Sequence, residues 1–211
     1  MNSSKRDTDE ALLEVRKAYR LLHDYQRAAL DAANYIGAQL GLAYNGGYSN
    51  FSDAPPRHGK SVALRDCWAW DWLNLVFYDF CFTKQVGEKG YNFSIWLISD
   101  TGYFISDDPT PVQTDVATFA PTDRSGTKVG FILYRTWNDE LDQFRHDRDA
   151  VRRFIENNGE LPHAHKNAGA FAMCCDFSRL SDEVSTGEVI TELVKIAKLH
   201  GFPVERVKKA V

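Results

Sequence analysis

The sequence predicts an α+β fold: an antiparallel meander sheet packed by a long N-terminal helix and by C-terminal helices. Three observations carry this reading. Apolar residues recur at helical spacing over residues 9–40, β-branched and aromatic residues fill residues 74–134, and apolar stripes bounded by cap residues close the chain. Strands grouped in the middle, with helices at the ends, describe an antiparallel α+β sheet rather than a chain of βαβ units. The expected organisation is one α+β domain over residues 1–211, with residues 1–7 disordered.

The first element is the clearest. Leu12, Val15, Tyr19, Leu22, Ala29, Ala33, Ile36 and Leu40 follow the three-or-four spacing that lines one helix face. Glu14 with Lys17 and Asp24 with Arg27 add local charge support, and Gly41 ends the pattern. Leu13, Tyr25 and Leu30 widen the apolar surface beyond one face, so the helix is expected to pack on the sheet and also on a second copy of the chain, as a homodimer.

Residues 44–60 concentrate Gly, Pro, Asn, Ser and Asp and read as a long loop. Trp68, Trp70 and Trp72 follow, then a helical turn and a strand over residues 74–83. Tyr91, Phe93, Ile95 and Leu97 alternate on one strand face, and Asp100-Thr101-Gly102 is expected to turn the chain back into a strand over residues 103–106. A second hairpin is expected from residues 116–119 and 128–134, around Asp123-Arg124-Ser125-Gly126. Asn138 is placed to cap one helix carrying Leu141, Phe144, Val151, Phe154 and Ile155, which Gly159 stops. Residues 169–177 form a short strand. Ser185 with Glu188 has the spacing of a capping box before a helix that Gly201 and Pro203 end, and Val204, Val207 and Val211 suggest a final turn.

A length of 211 residues suits a single hydrophobic core. Twenty-five Lys and Arg against 29 Asp and Glu leave a net charge of -4, so no global positive field draws the chain to nucleic acid. The charged start and the lack of any run near the roughly 20 apolar residues of a membrane span point to a cytoplasmic protein without a membrane partner. In that setting Cys67, Cys81, Cys174 and Cys175 are expected as free, mostly buried thiols.

Few motifs carry chemistry. His58-Gly59-Lys60-Ser61 has the tail of a phosphate-binding loop, but Ala54 stands where the first glycine is required and two prolines remove amide donors. Asp100-Thr101-Gly102 has the composition of an aspartic-protease turn, present once, and also that of an ordinary β-turn. The Asp/Glu-x-Lys pattern of a metal-dependent nuclease is absent from the chain; Asp66, Asp71 and Asp79 are left as candidates for a degenerate site. Asp71 and Asp79 stand in an aromatic-rich stretch where a carboxylate must find a partner or water.

His163 and His165, with Asp176, Cys174, Cys175 or His58, could converge on a metal or pair as Cys and His, yet no ligand set has a recognisable spacing. No metal or cofactor is therefore expected. Arg145, Arg148 and Arg152 are spaced for one helix face and suit an anion, while interleaved acids suit a solvated one. Tyr48 and Phe51 join Trp68, Trp70 and Trp72 in an aromatic cluster fit for a contact surface or a lid.

Two functional expectations follow. The first is a non-enzymatic protein-binding module of the inhibitor, immunity or accessory kind, using an acidic, aromatic-rich surface. The second is a metal-assisted hydrolase or nuclease-like enzyme drawing on His163, His165 and Asp176, or on Asp71 and Asp79. An enzyme needs polar groups converging in an accessible pocket, and a binder needs an exposed apolar patch.

Overall fold

The computed structural model describes residues 5–51, 76–86, 89–112, 115–135, 139–161 and 169–207. The chain divides into two compact units, residues 1–35 and 36–211.

The first unit is most of helix α1 (Lys5–Leu40), which starts four residues earlier than the spacing indicates. Its last turn belongs to the second unit and ends as the glycine signal requires. Gly41 takes φ +61, its N–H donates to the Ala38 carbonyl, and Leu42 N–H reaches back to Gly37, the paired bonds of a Schellman stop.

The second unit is built on a five-stranded antiparallel meander in the order β1 to β5: β1 (Ala43–Asn50), β2 (Phe77–Val86), β3 (Lys89–Ile98), β4 (Lys128–Tyr134) and β5 (Ala170–Asp176). The α+β architecture is thus as the sequence indicates. Between β4 and β5 come α2 (Asp139–His146) and α3 (Arg148–Glu156), and α4 (Glu183–Leu199) follows β5.

The register sorts the side chains onto two faces. On one face Phe77, Trp96, Ile98 and Ile132 meet Phe144 of α2 and Val151, Phe154 and Ile155 of α3 in a single buried cluster. Gly130 makes this contact possible, because a Cβ there would stand 2.8 Å from the Phe154 ring. On the opposite face lie Phe80, Phe82, Phe93, Ile95, Leu97, Phe131 and Leu133, all buried. Gly37 at the end of α1 lies against the Phe82 ring, and His200, just past α4, stacks on Phe171 at 4.9 Å.

Several local expectations are corrected. Residues 43–50 form edge strand β1 inside the expected loop, with a bulge between Tyr44 and Gly47 that absorbs Asn45 and Gly46. Residues 103–106 are not a strand. The Asp100 carboxylate accepts the Gly102 N–H at 2.7 Å and starts a 3₁₀ turn over Thr101–Tyr103, leaving β3 to pair with β2 and β4. Asp115 likewise caps a 3₁₀ turn over Val116–Thr118, where a strand is expected.

The single helix expected after Asn138 is two, because the Asp147 carboxylate accepts N–H groups from Asp149 and Ala150 and begins α3. Asn138 itself lies outside the described residues. Asp182, not Ser185, caps α4, and Ser185 donates to it through both its N–H and its hydroxyl at 2.9 Å. Residues 202–207 take no regular turn; Val207 N–H is tied to the Gln39 carbonyl at 2.7 Å.

Candidate functional site

Asp79 stands in the middle of β2, directly across from Tyr48 on β1 and Trp96 on β3, on the face that α2 and α3 cover. It has no exposed surface. Burial pushes its carboxyl up to about 6, against the pull of Ser94, Trp96, the Arg145 charge and Cys81. The Cys81 thiol reaches Asp79 Oδ1 at 3.6 Å. The Ser94 hydroxyl and Trp96 indole N–H are close enough to lower the pKa, but neither closes a bond of full geometry. Asp79 Oδ2, Ser94 Oγ and Trp96 Nε1 therefore stay buried without a hydrogen bond among the described residues. The Asn50 amide, on the same sheet face, is in the same condition.

Arg145 completes the cluster from α2. Its guanidinium lies 4.3 Å from the centre of the Tyr48 ring and pairs with Asp142 at 2.6 Å. The surroundings hold the neighbouring groups neutral. Burial and then the Asp79 charge push the Cys81 thiol up to about 11, and burial raises the Tyr48 and Tyr134 hydroxyls. A carboxyl near 6 has the right proton affinity for acid–base work, but the sealed position of Asp79 gives no substrate access to it. Cys81 is held as a thiol, so it is no ready nucleophile.

Of the residues singled out in the sequence, the fold therefore brings together Asp79, Tyr48 and Arg145. The others go elsewhere. Phe51 packs into the core against Phe77, Tyr103 and Phe104, with ring centres 5.3–6.2 Å apart. Arg148 is a latch: its guanidinium donates to the carbonyls of Tyr103, Phe104 and Ser106 at 3.0, 3.2 and 3.3 Å. Arg152 pairs with Glu156 at 2.8 Å on the surface, and the three arginines are split between two helices. Asp176 pairs with Lys128 at 2.7 Å. Burial raises the Cys174 and Cys175 thiols to about 12 and 11.

Asp66, Asp71, Trp68, Trp70, Trp72, His163, His165, Cys67 and the residues 58–61 lie outside the described residues. Among the described residues no three His, Cys, Asp or Glu side chains gather as metal ligands, and no helix is long and apolar enough to cross a membrane. Ser94, Trp96, Asn50 and Tyr134 are the site neighbours that sequence reasoning passes over. In β3 the alternation itself held the signal, since the set opposite Phe93, Ile95 and Leu97 is Asn92, Ser94 and Trp96.

The other feature of functional weight is on α1. Leu12, Leu13, Val15, Tyr19, Leu21 and Leu30 are each between 44% and 71% exposed, a run of large apolar side chains along one surface helix.

No curated protein and no solved structure matches the chain. One family model does, over residues 5–202, which takes in α1 and the whole sheet: the chain belongs to the PM0109 family.

Proposed function

We propose that the chain is a non-enzymatic protein-binding module, of the inhibitor, immunity or accessory kind, that docks through the N-terminal half of α1. The carrying observation is a seam that changes environment along its length. Leu12, Val15, Tyr19, Leu22, Gln26, Ala29, Ala33, Ile36 and Leu40 are separated by three and four residues in strict alternation, the a/d pattern of a helix built to pack on another helix. Ile36 and Leu40, in the second unit, are buried, and Leu12, Val15 and Tyr19, in the first, are exposed. The exposed stretch continues the same side-chain pattern as the buried end.

A second copy of α1 fits that place best. In the sequence of α1, Lys5 and Arg6 precede Asp9, Glu10 and Glu14, and Arg16, Lys17 and Arg20 follow them. An antiparallel copy brings Glu14 of one helix beside Arg20 of the other. In the antiparallel register Leu12 faces the partner's Leu22 and Val15 faces the partner's Tyr19, an a-to-d match at each layer. Gln26 is the one polar seam residue, of the kind that fixes register at some cost in stability.

Light scattering on the full chain against concentration tests this reading. The expected result is a mass that rises to two chains in wild type and stays at one in the double variant Leu12→Glu, Tyr19→Glu. A partner of another sequence would instead leave wild type monomeric while the same two substitutions abolish its capture. A hydrolase reading has less support, because Asp79 has no exposed surface.

A further inference from the structure

A hollow of about 270 Å³ opens on the sheet face that carries Asp79, beyond the area covered by α2 and α3. The β1 bulge creates it. Pairing steps from Tyr44 opposite Phe82 to Gly47 opposite Phe80, so on the β1 side Cys81 faces the displaced Asn45-Gly46 segment and no regular partner. Gly46 sits at φ +106 with nothing within 4 Å of where a Cβ would stand, and this keeps the rim open. Cys81 lies at the floor. Thr83, Asn92 and Tyr134, one cross-strand row over β2, β3 and β4, form a wall, and Asn45 and Tyr48 form the rim.

We propose that this hollow binds a small neutral polyhydroxylated molecule, about one monosaccharide in size, through the Asn45 and Asn92 amides and the hydroxyls of Thr83, Tyr48 and Tyr134. The chemistry of the lining selects that class. Each amide or hydroxyl can both donate and accept, which is what a ring of hydroxyl groups requires. No charged side chain lines the hollow among the described residues. With no charged group on that lining, the hollow offers neither an anion nor a cation a direct ion pair. The volume falls just short of the roughly 300 Å³ at which drug-sized ligands begin to fit, so the ligand is a single small ring.

A second observation lies next to the hollow, on the same sheet face. Asp79 Oδ2, Ser94 Oγ, Trp96 Nε1 and the Asn50 amide are buried polar atoms without hydrogen bonds, gathered on this one face. Tyr134 borders the hollow and interacts with Ser94, and Cys81 borders it and interacts with Asp79. The ligand thus rests on groups wired to the buried acid, and its hydroxyls extend a polar network that the protein alone leaves incomplete.

The test is a titration of the full chain with glucose, galactose and myo-inositol, followed by amide NMR shifts. The expected result is a saturable shift with at least one of them, confined to residues 45–48, 81–83, Asn92 and Tyr134. Glucuronate and glucosamine should bind more weakly. Thr83→Phe, which fills the hollow, should abolish the shifts, and Asn45→Ala on the exposed rim should weaken binding about tenfold, the equivalent of one lost hydrogen bond. Ligand should also slow alkylation of Cys81, read peptide by peptide. Shifts that survive Thr83→Phe, shifts scattered over the surface, or no saturable shift with any of the three neutral probes would overturn the proposal. If Thr83→Phe does not fold, Asn45→Ala and Cys81 protection decide it alone.

Discussion

Asp79 and Trp96 face each other across β2 and β3, both without exposed surface, and the indole N–H comes near the carboxylate without closing a hydrogen bond. A buried charge satisfied this poorly lowers the stability of the fold. Its carboxyl titrates at about 6 when folded, against 3.8 for the unreacted reference, so the folded state holds the extra proton between these values. Any stability from the raised value is full below pH 4 and lost as pH rises through 6. By linkage this amounts to about 3 kcal/mol.

Asp79→Asn should therefore stabilise the protein at pH 7, by on the order of 2–3 kcal/mol, and change little near pH 4. Denaturant melts at both pH values measure it. A variant less stable than wild type at pH 7 would mean that the Asp79 charge is better compensated than its surroundings indicate.

Gly130→Ala should destabilise by about 1–3 kcal/mol, since the new methyl group would stand 2.8 Å from the Phe154 ring in a filled core. Phe154→Ala should cost about 3–5 kcal/mol by cavity formation. In the double variant the two losses should not add, because they act on one contact. A full sum in thermal melts would place the strain elsewhere.

Arg148→Ala and Arg152→Ala separate a latch from a surface pair. Arg148 binds three backbone carbonyls with a largely covered side chain, and its loss should cost about 1.5–3 kcal/mol. The Arg152–Glu156 pair is exposed and screened by solvent, so its loss should leave the melt nearly unchanged. Equal losses in urea melts would contradict this division.

The order of the regular elements was legible because their stop signals are local: Gly41, Gly159 and Gly201 all take positive φ where the helix patterns end. Strand β1 was not, since Asn45, Gly46 and Gly47 have loop composition and only the tertiary pairing with β2 makes them a bulged edge. Residues 100–106 misled for the reverse reason. Asp100 satisfies the Gly102 N–H locally, and that capture outweighs the strand preference of Tyr103, Phe104 and Ile105. At the site, Asp79 could be singled out as an acid in an aromatic run. Its seal could not, because Arg145 is 66 positions along the chain and reaches the cluster only once α2 lies on the sheet.

The buried and exposed halves of α1 should answer differently to truncation. Ile36→Ala, at a position with no exposure, should cost about 2–5 kcal/mol at any protein concentration. Leu12→Ala should leave the melt of the dilute protein unchanged. Leu22, half-buried rather than buried, should fall between them.

Association through α1 is tested most directly by light scattering on the full chain across a concentration series, wild type beside Leu12→Glu, Tyr19→Glu. Wild type should rise from the mass of one chain to that of two, and the double variant should stay at one chain with an unchanged circular dichroism spectrum. A wild-type mass fixed at one chain would contradict self-association, and a two-chain mass that survives both substitutions would contradict the α1 seam as its interface.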